Sequence, residues 1–435
     1  MPDLDDPVSL GGVDLPNRLY RAPLLECAGN GPDAAETLVD ELEPAAESGV
    51  GLVCQGATIV RGEGGCAAPN MTRVHDPAFV ADLDVVPEAV ESHGGRVFAQ
   101  LEHGGLRSME TWHAAYHEDH PDLEQLAVSE PPRLLRALDR TGFLDYDPHV
   151  LTTDEVSDLA ADFGRAAERL VDAGYHGIHV AGANMGIVQQ FLSPYYNRRD
   201  DEFADGFHFL ERLHDEIRDR VGDDVPIITK IPAETEVPPF VRRHLSLADG
   251  VDLCERAAAA GFDALVPVTG STFWDTSLIR GAFPERAWRA GPFESGYEAA
   301  FGGPLRWRLI ALANWVEARR YDFEPAWNAD FCRRVREQVD DDVPVMLEGG
   351  VRERTRMDAL LGDACDLVGV GRPFYAEPRL GAELLDESGA DAVACENCNN
   401  CVVPQATGAE GVCRTPAVRR EAARRRRERE TDRES

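Results

Sequence analysis

Lysine is almost missing from this sequence. Only Lys230 is a lysine among the 44 basic residues, whereas Asp and Glu together number 78, which gives a formal net charge of −34 over 435 residues. This balance excludes a generally basic nucleic-acid-binding surface. Because the acidic residues are spread along the whole chain, they predict a solvated anionic surface. Such a surface suits the salt-rich cytoplasm of a halophile, where the charge is screened.

Long apolar runs are missing as well. No stretch of about 18 apolar residues occurs, so we expect no membrane span. The first residues, MPDLDDPVSLGG, are acidic and have neither a basic segment nor an apolar core, which are the marks of a secretory signal. We therefore expect a cytoplasmic protein.

Short apolar runs rich in β-branched residues alternate with amphipathic helical stretches such as Thr153–Ala173. Eight such alternations predict an α/β fold, namely a (β/α)8 TIM barrel with a short C-terminal segment. The predicted strands are Arg18–Ala22, Gly51–Gln55, Arg96–Leu101, Gly177–Ala181, Pro226–Ile231, Ala264–Thr269, Pro344–Glu348 and Leu367–Val370. Residues 102–150 and 270–328 form long loops after the third and sixth strands, so we expect them to cover the active face.

Four of the ten cysteines crowd into the C-terminal part of the chain, at Cys395, Cys398, Cys401 and Cys413. Their C-x2-C-x2-C-x11-C spacing predicts a [4Fe–4S] cluster, with three thiolates from one tight turn and the fourth from a return of the chain. The alternative is a structural zinc ion, which also accepts four thiolates but more often pairs two C-x2-C turns.

The change in pattern near residue 380 divides the chain into three parts. We predict a barrel over residues 1–380, a cluster-binding segment over 381–417 and a charged tail over 418–435. The tail reads RREAARRRRERETDRES at its end, and so polar a stretch predicts a frayed helix or a disordered segment.

Glycines close the last two predicted strands. Gly349 and Gly350 follow the seventh strand, and Gly371 and Arg372 follow the eighth. A barrel commonly binds phosphate at this place through glycine amides, and an arginine adds a bidentate contact. A pair of ordinary tight turns is the alternative, but two such turns on adjacent strands favour phosphate.

Several stretches together resemble the Old Yellow Enzyme family of FMN barrels, in particular its iron–sulfur branch with 2,4-dienoyl-CoA reductase and trimethylamine dehydrogenase. The resemblance covers residues 8–415 and lies in LPNRLYRAP (Leu15–Pro23), AQLEHGG (Ala99–Gly105), AGYHGIHVAGAN and QQFLSPYYNRRDDEF (within Ala173–Phe203), PVMLEGG (Pro344–Gly350), DLVGVGRPFYAEP (Asp366–Pro378) and the four cysteines. It implies bound FMN and a [4Fe–4S] cluster.

The resemblance also assigns roles around the flavin. Gln100 takes the position of the glutamine that faces the pyrimidine edge of the ring. Lys230 stands where the family usually has an arginine beside N1 and the C2 carbonyl, and a cation there stabilises the reduced flavin. Backbone contacts are implied for Pro23, Leu24 and Ala57.

The fourth strand departs from the family pattern. Ala181 and Gly186 replace the first polar residue and the tyrosine of the reductases, and Asn184 keeps the second polar residue. Reduction of a C=C bond needs carbonyl polarisation and a proton donor. Our catalytic candidates are therefore Asn184, His179, which should point inward, and Tyr116, with His113 and Trp274 as other substitutes from the long loops.

The sequence thus predicts an FMN- and [4Fe–4S]-dependent oxidoreductase for a small organic substrate. The reaction is either enoate-type C=C reduction or amine-type dehydrogenation, with NAD(P)H as a candidate donor. No G-x-G-x-x-G unit follows the cysteines, so we expect a separate electron-transfer protein. A homo-oligomer is a further candidate assembly. The alternative is a non-catalytic electron-transfer or assembly subunit.

Overall fold

The computed structural model describes residues 2–434 except 143, 145, 290, 387, 388 and 390. Its centre is a barrel of eight parallel strands. They are β1 (Leu19–Arg21), β2 (Leu52–Ile59), β3 (Arg96–Glu102), β4 (Gly177–Val180), β5 (Ile227–Ala233), β6 (Ala264–Thr269), β7 (Met346–Leu347) and β8 (Leu367–Val370). All eight predicted strands and the predicted barrel are confirmed.

The strands follow one another around the barrel in chain order. Each pairs in parallel with the next from β1 to β6, β7 pairs with β8, and β8 returns to β1. A parallel bridge between Leu265 and Val345 joins β6 to the start of β7, and the Leu265 amide donates to the Pro344 carbonyl at 3.0 Å. These two contacts close the barrel.

Helices cover the outside of the barrel. The described residues form eleven helices of seven or more residues, and these are α1 (Ala34–Glu47), α2 (Val85–Ser92), α3 (Arg133–Asp139), α4 (Thr153–Asp172), α5 (Phe207–Val221), α6 (Leu247–Ala259), α7 (Glu294–Phe301), α8 (Pro304–Arg320), α9 (Ala329–Arg336), α10 (Arg354–Leu360) and α11 (Pro416–Glu434). Helix α4 begins where the sequence predicts it, because Thr152 and Glu155 form a reciprocal capping box.

Alternation along the strands divides the apolar side chains into two layers. The side chains of one layer point outward and pack under the helices. The side chains of the other layer fill the barrel interior and include Leu52, Phe98, Ile228, Val266 and Met346. Glycine leaves room in this interior. A side chain at Gly369 would lie 2.3 Å from the Tyr20 ring, so only glycine fits there.

The long loop after β6 carries helices α7 and α8. Trp288, Tyr297 and Trp307 form an apolar cluster there, and Val403 of the cysteine segment packs against it. The loop after β3 contributes Trp112, whose ring lies 5.3 Å from that of Trp274. Both long loops therefore meet above the carboxyl ends of the strands, as the sequence predicts.

The C-terminal tail is helical. Within α11, Arg424 and Arg425 pair with Glu421, and Arg425 and Arg429 contact the buried Glu383 on the barrel. These pairs stabilise the helix and hold it to the body. Helix α11 thus occupies the predicted charged tail, whose division from the rest of the chain stays a prediction, and Ser435 lies outside the described residues.

No helix in the described part of the chain is both long and apolar enough to cross a membrane.

Candidate flavin and cysteine site

Five polar side chains meet at the carboxyl end of the barrel interior. The Lys230 ammonium donates to Glu348 Oε2 at 2.7 Å, and the Tyr20 hydroxyl donates to Glu348 Oε1 at 3.3 Å. The Gln100 amide nitrogen lies 3.4 Å from His179 Nε2. Each of these residues continues the inward-facing alternation of its strand, and so the strand ends place a charged and amide-rich floor under the mouth.

His179 is fully buried in this floor. Burial lowers its pKa well below the usual value, and the nearby Lys230 charge acts in the same direction. The imidazole is therefore neutral. Because the amide nitrogen of Gln100 can only donate, His179 Nε2 accepts and the proton stays on Nδ1, which has no hydrogen-bond partner in the described structure. The inward orientation expected for His179 is confirmed.

The loop after β1 forms one rim of the mouth. A buried ion pair fixes it, because Arg21 Nη1 donates to Glu26 Oε1 at 2.9 Å and the Gly56 amide donates to Glu26 Oε2 at 2.9 Å. Gly56 lies at a bulge in β2, where a side chain would overlap the Leu24 carbonyl. The predicted flavin contacts Pro23, Leu24 and Ala57 are half-buried on this rim.

A second part of the rim, two strands away from β1, carries the turn that follows β7. Gly349 and Gly350 both have positive φ, at 106° and 73°. The Trp327 ring packs on them, and its buried indole N–H has no partner in the described residues. Asn328 donates to the Glu348 carbonyl at 2.9 Å and supports the turn. Left-handed glycines beside an unused N–H donor fit an anion such as phosphate.

Arg372 points away from that turn. Its guanidinium donates to the carbonyls of Ile279 and Arg280 at 3.0 Å each, and it also contacts the side chain of Asn399 in the cysteine segment. Gly371 lies against Leu24. Since Arg372 is held by the cysteine segment here, its predicted phosphate contact stays a prediction.

The four C-terminal cysteines line one cavity together with Arg372, Asn399 and Thr415. Asn397 and Asn399 have positive φ, which bends the C-x2-C-x2-C turn tightly. Cys395 and Cys401 are buried, whereas Cys398 and Cys413 are partly exposed. Burial raises the pKa of Cys401 to about 12, and the Arg372 charge acts against this rise.

The chemistry of four thiols around one cavity suits a [4Fe–4S] cluster and also a single zinc ion. Among the described residues, no group of three or more His, Cys, Asp or Glu side chains is arranged to hold a metal ion. The [4Fe–4S] cluster therefore stays a proposal.

Hydrogen bonds join the cysteine segment, and Tyr375 before it, to the rim that carries Pro23 and Leu24, which we call the flavin rim. The Leu25 carbonyl accepts from the Tyr375 hydroxyl at 2.8 Å and from the Gln405 amide at 2.6 Å. The Cys413 amide donates to the Tyr375 carbonyl at 3.0 Å. The rim that carries Pro23 and Leu24 is thus fixed to the segment that carries the thiols.

The loop after β4 has an unusual backbone. Asn184 and Met185 both have positive φ although neither is glycine. Arg107 contacts the Asn184 carbonyl, and Gln189 Oε1 accepts from the Met185 amide at 2.8 Å. Gln189 also donates to the buried Glu234 at 3.2 Å. Burial raises the pKa of Glu234 to about 7. These contacts hold the strained loop in place.

Tyr116 lies apart from Asn184 and His179. It packs with Cys66 and Met71 near the half-buried Leu25 and Ala57, on the β1–β2 side of the mouth. Its hydroxyl is 3.4 Å from Arg73 Nη2, and burial raises its pKa to about 12. Trp274 is 52% exposed and lies over Arg107 at 5.2 Å. The three catalytic candidates are therefore on different sides of the mouth, and their roles stay predictions.

A comparison with known protein families agrees with the closed barrel and its polar strand ends. Residues 3–242 match the model of the NADH:flavin oxidoreductase / NADH oxidase family, which is more than half of the chain. The chain belongs to this family. It is an FMN-dependent oxidoreductase with the Old Yellow Enzyme fold that its sequence resembles.

Individual members of the family show how widely it varies. The chain is 24% identical to the NADH oxidase of Thermoanaerobacter brockii over 94% of this chain and 57% of that protein. It is 25% identical to the 4,4'-dithiodibutanoate disulfide reductase of Rhodococcus erythropolis over 97% of this chain and 98% of that protein. Histamine dehydrogenase from Rhizobium sp. 4-9 has a similar fold, with a TM-score of 0.70 and 20% identity over 96% of this chain and 53% of that chain.

Three polar residues of the site, Glu348, Arg107 and Glu234, are not among the residues predicted from the sequence. Glu348 was treated as the end of a strand, yet its place two residues after the inward-facing Met346 predicts an inward carboxylate. Arg107 and Glu234 gave no signal, because their partners lie far along the chain. The signal for Glu348 was Lys230 itself, since an inward cation needs a counter-charge.

The neutral state of His179 gives a pH prediction. Its folded pKa lies below the unfolded value of about 6.5, so the unfolded chain binds more protons in acid. The stability it contributes is present above about pH 6.5 and is lost as the pH falls. His179→Gln should therefore reduce the loss of unfolding free energy between pH 6.5 and 5 by roughly 1–2 kcal/mol. Denaturant titrations at both pH values measure this.

Phe98→Leu is the matched control, because Phe98 is buried in the same interior but does not titrate. It should lower stability equally at both pH values. An unchanged pH dependence in His179→Gln would contradict the neutral assignment.

Proposed function

We propose that FMN binds at the barrel mouth and that Cys395, Cys398, Cys401 and Cys413 hold a [4Fe–4S] cluster that passes electrons to a separate carrier protein. The substrate is a small organic molecule. The observation that carries the proposal is the Leu25 carbonyl, which accepts hydrogen bonds from both Tyr375 and Gln405. It fixes the flavin rim against the cysteine segment, and electron transfer requires such a fixed short path.

The residues of the mouth match the two ends of FMN. FMN supplies two-electron chemistry with the substrate and single-electron exchange with a cluster. Gln100 offers an amide donor and acceptor to the pyrimidine edge, and Lys230 offers a fixed cation beside it. Gly349, Gly350 and the unused Trp327 N–H offer donors to the phosphate. Pro23, Leu24, Ala57 and Gly371 line the rim between them.

Arg372 lies between the two proposed cofactor sites in the chain. In the arrangement described above its guanidinium contacts Asn399 in the cysteine segment and the carbonyls of Ile279 and Arg280. A contact of Arg372 with the FMN phosphate therefore requires its side chain to rotate toward the phosphate turn. Its positive charge favours thiolates at Cys395 and Cys401.

The cysteine segment has an inner and an outer side. Cys395 and Cys401 are buried, and Cys398 and Cys413 are partly exposed. A cluster held by these thiols has one edge near the protein surface. That edge supports electron exchange with a separate protein, since transfer is efficient only over short distances.

The chain spans 57% of the length of the NADH oxidase and 53% of the length of the histamine dehydrogenase named above.

The side chains at the mouth that could contact a substrate favour no single reaction of the family. C=C reduction needs a polarised carbonyl and an acid; the Asn184 amide and the Tyr116 phenol, which stays protonated, are the groups present. Dehydrogenation of an amine needs no such acid. The similar proteins named above include both a disulfide reductase and a histamine dehydrogenase.

Donor and acceptor panels test the reaction. The flavin absorption of the anaerobic protein should bleach with one of NADH, NADPH or a panel of small amines. If NAD(P)H is the donor, one of the enoates or disulfides supplied next should restore the absorption. Boiled protein and free FMN are the controls. If no compound changes the rate of bleaching or of recovery, the proposed activity is contradicted.

Lys230 tests the placement of FMN. Lys230→Met removes the cation beside the reduced flavin and leaves Glu348 without its partner, so the two-electron potential should fall by about 30–60 mV, where 30 mV corresponds to about 1.4 kcal/mol. Glu348→Gln should shift the potential upward, because Lys230 is then not neutralised. Spectroelectrochemistry measures both.

Lys230→Arg is the matched control, and it should keep the potential close to that of the wild type. Equal potentials in wild type, Lys230→Met and Glu348→Gln would show that FMN does not lie against this ion pair.

A further inference from the structure

The carboxyl group of Glu234 is buried directly after β5. Its Oε2 accepts from the Leu245 amide at 2.9 Å and from the Ser193 hydroxyl at 3.0 Å, and its Oε1 accepts from Gln189 Nε2 at 3.2 Å. Among the described residues, no arginine, lysine or histidine forms an ion pair with it. A buried carboxyl group is costly, so these three contacts have to account for it.

The three contacts require acceptors on both oxygens. The Leu245 amide lies on one oxygen and Gln189 Nε2 on the other, and neither group can accept. A side-chain amide in place of Glu234 would offer an acceptor on one side and a donor on the other, so one neighbour would lose its partner. All three hydrogen bonds favour the ionised form and act against the effect of burial. The surroundings of Glu234 therefore fit a carboxylate.

Gln189 connects this carboxylate to the loop after β4. Its Nε2 donates to Glu234 and to the Ser271 carbonyl, each at 3.2 Å, and its Oε1 accepts from the Met185 amide at 2.8 Å. A carboxylate and a carbonyl can only accept, whereas a backbone N–H can only donate. Turning the Gln189 amide over would therefore break all three contacts, and the ionised Glu234 is one of the groups that fix its orientation.

The Met185 amide belongs to a strained turn. Asn184 and Met185 have φ values of 68° and 63°, which non-glycine residues rarely adopt in succession. Such a backbone persists only where its neighbours determine it. Gln190 Nε2 donates to the Met185 carbonyl at 2.7 Å, so two consecutive glutamines contact both the N–H and the C=O group of Met185. The position of the Asn184 side chain at the mouth depends on this turn.

We propose that Glu234 is a positioning residue for Asn184. Its carboxylate orients Gln189, Gln189 holds the Met185 amide, and the resulting turn sets the place from which the Asn184 amide reaches a substrate carbonyl. The inference rests on the proposed function, in which Asn184 is the group that polarises this carbonyl. Glu234 acts at a distance from the reacting atoms, because its side chain is fully buried.

The two oxygens of Glu234 separate positioning from stabilisation of the fold. Oε2 accepts from Leu245 and from Ser193, which follows the short helix Ile187–Leu192. In the described structure, Oε1 accepts from Gln189 alone. Loss of the Ser193 hydroxyl should therefore lower stability and leave Asn184 in place, whereas loss of the contact between Glu234 and Gln189 should displace Asn184.

Hydrogen exchange of the Met185 amide in the FMN-loaded protein tests this contact. Glu234→Ala should raise the exchange rate about tenfold or more, because the turn then opens locally more often. Gln189→Met removes the acceptor itself and should give at least the same increase. Ser193→Ala is the matched control and should exchange like the wild type, although its melting temperature falls. Mass spectrometry of the peptide that contains Met185 measures the rates, and an unchanged rate in Glu234→Ala would overturn the proposal.

A double-mutant cycle tests whether Glu234 acts through Asn184. The protein is reduced with dithionite, and the rate constant of flavin reoxidation by 2-cyclohexenone is measured. Asn184→Ala and Glu234→Ala should each lower it by about 10- to 100-fold, and Ser193→Ala should keep it. The double variant of Asn184→Ala and Glu234→Ala should be no slower than Asn184→Ala, because Glu234 then has no amide left to position. Gln189→Met in place of Glu234→Ala should give the same pattern.

The outcomes separate this inference from the proposed function. If the wild type does not react with 2-cyclohexenone, or if Asn184→Ala reacts as fast as the wild type, the proposed role of Asn184 is contradicted and the role of Glu234 with it. A slow Asn184→Ala beside an unchanged Glu234→Ala or Gln189→Met would contradict the positioning role alone. Effects of Asn184→Ala and Glu234→Ala that multiply in the double variant would also contradict it, since Glu234 would then act independently of Asn184.

Discussion

Lys230 and Glu348 lie 2.7 Å apart inside the mouth of a barrel that is otherwise filled with apolar side chains. A charge at this depth is costly without a partner, so each residue of the pair determines the position of the other. β5 and β7 are separated by β6, and the pair therefore crosses one strand of the barrel. Tyr20 from β1 donates to the same carboxylate. Correct closure of the barrel is what brings these three strands to one point.

The same closure positions the cofactor rims. The β1 loop is fixed from below by the buried Arg21–Glu26 pair and from outside by Tyr375 and Gln405 of the C-terminal part of the chain. The Leu25 carbonyl is thus a direct contact between the rim that carries Pro23 and Leu24 and the C-terminal part of the chain. The two proposed redox centres lie on either side of this contact.

Local sequence patterns predicted the barrel because strand and helix alternation is a short-range signal. Even the capping box of α4 is readable within four residues. Partners far along the chain were not readable in this way. Glu348 lies 118 positions from Lys230, and Arg372 turns toward Asn399 instead of the phosphate turn because two carbonyls of the β6 loop accept its N–H groups. The contacts of the tail with the buried Glu383 were not readable either, since Glu383 lies more than 40 positions before Arg425 and Arg429.

The central claim is that one barrel holds FMN beside an iron–sulfur cluster. Metal and flavin analysis of anaerobically purified protein tests it most directly. The account predicts about four irons and one FMN per chain, with broad absorption beyond the flavin bands. Protein that contains zinc and no iron would contradict it.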